Sequence, residues 1–242
     1  MAKRCIVLGG SGHVGQAICR ALSARGARVG FTYHQGEELA AQLCAELPDA
    51  TSQRLDLTRE DEIAPAMDAL LEALDGVDAF VHAASLVSTN EPPEHEKLAR
   101  LSAGGWDRLM AVNLKGPALA CQHLAPHFGD GGGNLVFVGS TDGVKPVPTP
   151  VAYGASKAAL SGLVRALAKE LGARKILANV VAPGVLEGGL SRTLPDELRQ
   201  EFIKHSALGR LGTREEVAKL VTFLALDNSY LTARTIVVDG GL

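Results

Sequence analysis

Short apolar runs alternate with longer stretches of helical spacing along the whole of this chain, and that alternation narrows the folds open to it more than anything else in the sequence. The first run, Arg4 to Leu8, is too short for a helix; after it Val14, Ile18, Ala21 and Leu22 recur at helical spacing. The pairing repeats, with runs over 27–33, 51–55, 78–82, 134–139, 175–181 and 234–238 and helical patterns over 37–47, 59–74, 106–127, 151–172 and 214–226. Continuous apolar runs mark strands buried on both faces. Strands of this length separated by helices predict βαβ units with right-handed crossovers, and so an α/β fold: a doubly wound, seven-stranded parallel sheet of Rossmann type with helices on both faces. A closed eight-stranded barrel is the rival, but only seven strands can be counted. The 242 residues suit a single domain over 1–242, since no linker, low-complexity tract or repeat divides them.

The first strand runs straight into Leu8 to Gly15, which reads LGGSGHVG. Gly10, Gly12 and Gly15 fall at the GxGxxG spacing, directly before the first helical pattern. Bare backbone at such a junction permits a tight turn, close approach of a pyrophosphate and packing of the helix on the sheet. Freed N–H groups and the positive end of the helix dipole then favour phosphate. This placement predicts a dinucleotide cofactor. Asp56, at the end of the third strand, is placed to accept a hydrogen bond from an adenine amino group; its alternative duty, capping the helix from Arg59, suits Thr58 better. An acid at the end of the second strand would grip the ribose diol of NAD and repel a 2′-phosphate. Residues 31–35 read FTYHQ, with no acid before Glu37. That favours NADPH/NADP over NADH/NAD, with His34 or His13 as candidates to hold the phosphate, although a solvated surface histidine accounts equally well for His34.

Tyr153 and Lys157 stand four residues apart, on one face of the helix expected over 151–172. A phenol with its ordinary pKa of about 10 is a poor acid–base group at neutral pH, and a nearby ammonium favours the phenolate. Lys157 is also placed to hold a nicotinamide ribose. Ser140 ends the fifth strand, 13 residues before Tyr153, where a hydroxyl would steady a carbonyl oxygen that gains charge during hydride transfer. Asn113 interrupts an apolar helical stretch at some cost in helix propensity, and is expected to bend the helix and hold a water linked to Lys157. Alone, a Tyr and a Lys four apart make an ordinary amphipathic pair, and Asn113 an ordinary structural amide. The cofactor turn and the serine at the same sheet edge shift the balance toward an oxidoreductase; the contrary expectation is a catalytically silent cofactor-binding scaffold.

Charge and composition remove other classes. The 24 basic and 27 acidic residues nearly cancel and neither gathers into a stripe, which argues against nucleic acid. Cys5, Cys19, Cys44 and Cys121 sit singly in apolar segments and predict reduced, buried thiols; no metal site is expected. The amino terminus reaches glycine after four apolar residues and no run of 18 apolar residues occurs, so a soluble, cytoplasmic protein with no membrane contact is expected.

The turn, Asn113, Ser140, the Tyr153–Lys157 pair, the VAPG of residues 181–184 and the TIVVDGG of residues 235–241 together resemble the short-chain dehydrogenase/reductase family, over nearly the whole chain. The resemblance implies that Tyr153 donates a proton to the substrate oxygen during reduction and that Ser140 positions that oxygen. It implies that Lys157 binds the nicotinamide ribose and lowers the tyrosine pKa, while Asn113 supports a relay water. The cofactor site it implies comprises Gly9, Ser11, Gly12, His13, Val14, Gly15, Tyr33, His34, Asp56, Leu57, Ala83, Ala84, Ser85, Tyr153, Lys157, Pro183, Gly184 and Leu186. Several positions depart from the family pattern. Leu8 stands for a threonine and His13 for a glycine, and the Gly9, Gly12, Gly15 spacing is closer to the family's extended branch. Residues 82–85 read HAAS where the family has two asparagines, an alanine and a glycine, and Gly188 replaces a threonine that meets the carboxamide.

Among members the chain is most similar to bacterial 3-oxoacyl-(acyl carrier protein) reductases, notably in ALGRLG over 207–212. This implies a small-molecule carbonyl substrate delivered on an acyl carrier protein or coenzyme A, fatty acid or polyketide biosynthesis, and a homotetramer or homodimer paired through 106–128 and 151–172. A pteridine reductase is the second enzyme expectation, from Tyr33, His34 and Ser85, with Ser140 against it; other ketone, alcohol and sugar reductases of the family share the same motifs. Residues 185–207 are expected to form a mobile, partly apolar substrate lid. Residues 86–105 offer a rim or a plain surface loop, and 142–150 a further pocket wall on which Lys145 is expected to be solvated.

Overall fold

A computed structural model of the protein describes residues 2–87, 98 and 101–242. Its strands are β1 (Arg4–Leu8), β2 (Arg28–Tyr33), β3 (Thr51–Arg54), β4 (Ala79–His82), β5 (Gly133–Val138), β6 (Ile176–Pro183) and β7 (Arg234–Val238). They form one parallel sheet in the order β3-β2-β1-β4-β5-β6-β7. The helices are α1 (His13–Ala24), α2 (Glu37–Glu46), α3 (Glu60–Leu74), α4 (Ala103–Met110), α5 (Gly116–Leu124), α6 (Val151–Leu171), α7 (Asp196–His205) and α8 (Arg214–Leu226).

The apolar runs divide their side chains between two cores, as the two-residue strand period requires. Ile6, Leu8, Phe80, Leu135 and Phe137 point to one face, where α3, α5 and α6 cover them. Cys5, Val7, Ala79, Val81, Val136 and Val138 point to the other, under α1, α2 and α8. Cys5, Cys19 and Cys121 are buried and Cys44 half-buried, all as free thiols; burial pushes the Cys5 thiol up to about 12. Winding proceeds from β1 outward to β2 and β3, then crosses to β4 on the opposite side of β1. The reversal opens a crevice beyond Leu8 and His82, the carboxyl ends of the two central strands, where such sheets take ligands.

Three features differ from the pattern read in the sequence. β6 runs on to Pro183, which pairs with Val238; a proline is tolerated there because the strand is ending. The helix expected over 106–127 starts earlier, behind a Ser102 cap that accepts from the Gly105 N–H, and is split by a π-helical turn over Ala111–Lys115 that contains Asn113. α7 lies inside the segment expected to be a lid; no side chain is fully buried among its described residues, and Leu198 and Phe202, one turn apart, are half-buried. Acids at Asp196 and Glu197 and the bases Lys204 and His205 complement its dipole. The expected rim over 86–105 falls largely outside the described residues. Among the described residues no helix is long and apolar enough to cross a membrane.

Candidate active site

The turn after β1 is built by backbone and one side chain that sequence spacing did not flag. Gly9 has a left-handed φ of +76°, and its N–H donates to the buried Thr32 Oγ1 at 3.0 Å. Gly10 N–H reaches the Thr32 carbonyl at 2.9 Å, and Gly12 N–H the Gly9 carbonyl at 3.1 Å. A Cβ at Gly15 would lie 2.1 Å from the Gly9 oxygen, and one at Gly9 would lie 2.6 Å from the Ala84 Cα. Helix α1 is thus drawn against the turn, and the turn against Ala84, while the Ala83 N–H donates to the Leu8 carbonyl at 2.9 Å. The Ser11 carbonyl accepts from Gln16, and Val14 packs into the core below. No side chain caps α1 at Gly12. Its first-turn N–H groups are left for an outside acceptor, so the turn fits a pyrophosphate.

At the carboxyl ends of β2 and β3 the structure brings His34 and Asp56 together, His34 Nε2 lying 3.4 Å from Asp56 Oδ2. Asp56 Oδ1 accepts from Thr58 N at 2.9 Å and Thr58 Oγ1 at 2.7 Å. The carboxylate therefore shapes the turn into α3, and Thr58 is held rather than capping, which corrects the expectation for Thr58. Burial opposes the charge on Asp56, but the Thr58 hydrogen bonds and the nearby His34 and Arg108 hold its pKa below the ordinary value. Leu57 is a core residue against Gly116, so its side chain does not line the crevice. Tyr33 ends β2, and strand register sets Arg54 beside it. That cation is invisible to spacing along the chain, because pairing between strands supplies it.

His13, a candidate in the sequence for holding a 2′-phosphate, is instead engaged with the loop after β6. Its Nε2 lies 2.9 Å from the Glu187 carbonyl. Added Cβ atoms at Gly188 and Gly189, both left-handed, would meet its ring at 2.9 and 2.8 Å. Two departures from the family pattern thus fit one another: a ring where glycine is usual, and glycine where threonine is usual. Pro183 and Gly184 close the end of β6, with the Gly184 N–H on the Val238 carbonyl at 3.0 Å, and Leu186 bridges to Gly212.

Tyr153 and Lys157 face the crevice side of α6 and are buried, at 7% and 2% exposure. Lys157 Nζ donates to the Val138 carbonyl at 3.1 Å and lies 5.6 Å from the Tyr153 ring centroid. The expected depression of the tyrosine pKa is not what the protein scaffold produces. Burial, then the charge of Asp142, pushes the phenol up to about 12 against the pull of the Ser140 and Ser85 hydroxyls, and burial brings Lys157 down to about 8. Desolvation is the largest cause of both shifts. Ser140 lies two residues beyond Val138, the last residue of β5, at the head of the turn Thr141–Gly143; its hydroxyl donates to Asp142 Oδ2 at 2.8 Å, and Asp142 N–H donates back to Ser140 Oγ at 3.3 Å.

Asn113 is fully buried, and its side chain is committed. Its Oδ1 accepts from Leu86 N at 2.8 Å, and its Nδ2 donates to the Leu86 carbonyl at 2.7 Å and to Ser156 Oγ at 3.0 Å. The bend is present as the π turn; both amide hydrogens are taken, and Oδ1 keeps one lone pair beyond the bond it accepts from Leu86. His82 is also fully buried, and neither ring nitrogen has a hydrogen-bond partner among the described residues. Burial and the charge of Lys157 take its pKa down to about 3, so it is neutral. Lys145 is not a solvated side chain, since it pairs with Asp239 and the Leu242 carbonyl. Among the described residues no three His, Cys, Asp or Glu side chains are grouped to hold a metal.

The family model described as enoyl-(acyl carrier protein) reductase matches residues 11–242 of the chain. The 3-oxoacyl-(acyl-carrier-protein) reductase FabG of Thermotoga maritima is 31% identical over 245 residues, covering 99% of this chain and 97% of its own. Among solved structures, a short-chain dehydrogenase/reductase from Serratia marcescens is similar with a TM-score of 0.90 at 28% identity, over 99% of this chain and 97% of that one. A blue fluorescent protein from a metagenomic library, solved in complex with NADPH, has a TM-score of 0.89 at 31% identity, with the same two coverages of 99% and 97%.

Proposed function

The chain belongs to the short-chain dehydrogenase/reductase family and is an NAD(P)-dependent oxidoreductase; from that premise we propose that it reduces a ketone with NADPH, with Tyr153 as the proton donor, and that its substrate is a 3-oxoacyl thioester on an acyl carrier protein or coenzyme A. The observation that carries this is the convergence of Tyr153, Lys157 and Ser140 at the sheet edge that also holds the uncapped start of α1. A bound nicotinamide supplies or takes the hydride. The main-chain N–H of Ser11 and those of the first turn of α1, His13 to Gly15, would hold a pyrophosphate, Gly9 and Gly12 would shape the turn and leave it room, and Ala83 and Ala84 would form the floor beside it. Lys157 binds the nicotinamide ribose, and Pro183, Gly184 and Leu186 bound the ring. Tyr153 hands its proton to the oxygen as the carbon is reduced, and Ser140 holds that oxygen in place.

Preference for NADPH rests on the absence of an acid at the end of β2 and on His34 and Arg54 beside Tyr33, two side chains able to meet a 2′-phosphate. The thioester rests on the relatives that carry that name. Residues 185–207, including α7, cover the substrate, and one domain carries both ligands.

The test is consumption of NADPH and of NADH with 3-oxoacyl thioesters, simple ketones, pterins and sugar carbonyls, for the native protein and for Tyr153→Phe. The expected result is fastest turnover of the thioester with NADPH, falling at least a hundredfold in the variant, the usual worth of general acid catalysis being about 10²–10⁴. Unchanged turnover in Tyr153→Phe removes the assignment of the proton donor, and a preference for NADH removes that of the phosphate.

A further inference from the structure

We propose that Asp142 governs Ser140 and tunes preference among substrates: its carboxylate holds the Ser140 proton, and a hydrogen-bond donor on the substrate, a hydroxyl or ammonium one or two carbons from the reacting carbonyl, eases its release by taking the place of that serine. A serine hydroxyl has a single proton to give. Here that proton points to Asp142 Oδ2 at 2.8 Å, while the returning Asp142 N–H occupies one of the oxygen's lone pairs at 3.3 Å. In this arrangement Ser140 offers Tyr153 and the substrate an acceptor, the wrong polarity for an oxygen gaining negative charge. The second carboxylate oxygen, Oδ1, has no hydrogen-bond donor among the described residues. The nearest cationic side chain along the turn, Lys145, is spent on Asp239.

The geometry of the turn keeps the carboxylate there. Residues Thr141–Gly143 form a tight 3₁₀ turn behind Ser140, and a Cβ at Gly143 would lie 2.5 Å from the Lys157 carbonyl carbon. Asp142 is half-buried beside Tyr153 and Lys157, and its charge acts on both. A donor on the substrate bonds to the ionised carboxylate, which releases the Ser140 hydroxyl to turn its proton to the carbonyl oxygen. A carboxylate or phosphate at the same place meets like charge instead.

This rests on Ser140 and Tyr153 being the pair that meets the carbonyl, and not on the thioester substrate. The test compares matched substrates in the holoenzyme: a ketone, its analogues with a hydroxyl or an amine on the adjacent carbon, and the corresponding 2-oxo acid, each with native protein, Asp142→Asn and Asp142→Ala. The donor-bearing analogues are expected to exceed the plain ketone in kcat/KM by about tenfold, the worth of one charge-assisted hydrogen bond. The 2-oxo acid is expected to be poorest, and both variants to flatten the ranking. A second readout needs no substrate. The phenolate absorbance of Tyr153, isolated by difference from Tyr153→Phe, is followed against pH. The groups facing this phenol are Asp142 and Ser140 behind β5, Lys157 on α6 and Ser85 after β4, with His82 neutral behind Lys157. Removing the Asp142 charge in Asp142→Asn lowers the titration midpoint. An unchanged ranking in both variants, or an unmoved midpoint, overturns the proposal. If thioesters remain the best substrates and Asp142→Asn leaves every ratio intact, the proposed function stands and this inference falls. If donor-bearing ketones win and thioesters are poor, the reverse holds.

Discussion

At Lys157 the chain buries an ammonium whose one hydrogen-bond acceptor among the described residues is the Val138 carbonyl. Burial takes its folded pKa down to about 8 from an ordinary 10.5. The unfolded chain therefore holds more protons than the folded one between those values, and stability rises with pH across that window. Below about pH 8 the charge is buried at full cost, on the order of 2–4 kcal/mol. Tyr153 acts in the opposite sense: its folded pKa is pushed up to about 12, so the unfolded chain loses its proton first and stability falls above about pH 10. Lys157→Met, measured without added cofactor, is expected to melt higher than the native protein at pH 7, by roughly 1–3 kcal/mol of stability once the lost hydrogen bond is deducted. The gap should close as pH rises from 8 to 10.5, while activity is abolished throughout. A variant less stable at pH 7 would show that the lysine supports the fold rather than burdening it. Tyr153, Lys157 and Ser140 were legible in the sequence because spacing on one helix and one strand end places them. The state of their protons was not, since it depends on burial and on Asp142, whose side chain turns back on Ser140 across a turn that spacing does not describe.

The turn between β1 and α1 shows what an element adds. A Cβ at Gly15 has nowhere to go, with the Gly9 oxygen 2.1 Å and the Gly10 Cα 2.9 Å away. Gly15→Ala must push α1 off the sheet or open the turn, an overpacking cost of about 1–3 kcal/mol or more, and either movement spoils the main-chain seat. The expected outcome is a lowered melting temperature together with loss of NADPH binding by fluorescence titration. Gly131→Ala, where a Cβ would meet nothing within 4 Å, serves as the control and should leave both unchanged. If Gly15→Ala binds NADPH normally, the pyrophosphate does not sit on this turn. The glycines were readable at sight, whereas Thr32, which holds the Gly9 N–H, and Arg54, set beside Tyr33 by strand register, come from neighbouring strands. The π turn at Asn113 was foreseen only as a bend. α7 was harder to read: Leu198 and Phe202 stand one turn apart, but a half-buried pair among charged residues makes a short and weak apolar period. The contact between His13 and Gly188–Gly189 was visible only as two separate departures from a family pattern, 175 residues apart along the chain.

Across the whole molecule, the sheet order fixes where chemistry can occur, because only between β1 and β4 does the winding direction reverse. The alternation of runs and helices was enough to foresee this, since few topologies satisfy right-handed crossovers with both faces covered. Helix α6 exposes Ala158, Gly162 and Ala166 at successive turns, with half-buried Leu163 and Leu167 alongside. Such a face lets a second backbone approach closely, and a twofold pairing would set Gly162 of one subunit near its own copy in the partner. Light scattering of the native protein should then give a multiple of 25.3 kDa. Gly162→Arg adds a side chain where a Cβ meets nothing, on a helix that arginine favours over glycine by about 1 kcal/mol, so the monomer fold should tolerate it. Two copies facing one another would repel and collide, and the mass should fall toward 25.3 kDa. Since α6 also carries Tyr153 and Lys157, loss of assembly should lower turnover through a less rigid helix, while the affinity for cofactor at the far turn changes little. A native protein of 25.3 kDa in solution, or a Gly162→Arg variant that keeps the native mass, would mean that this face is simply solvated.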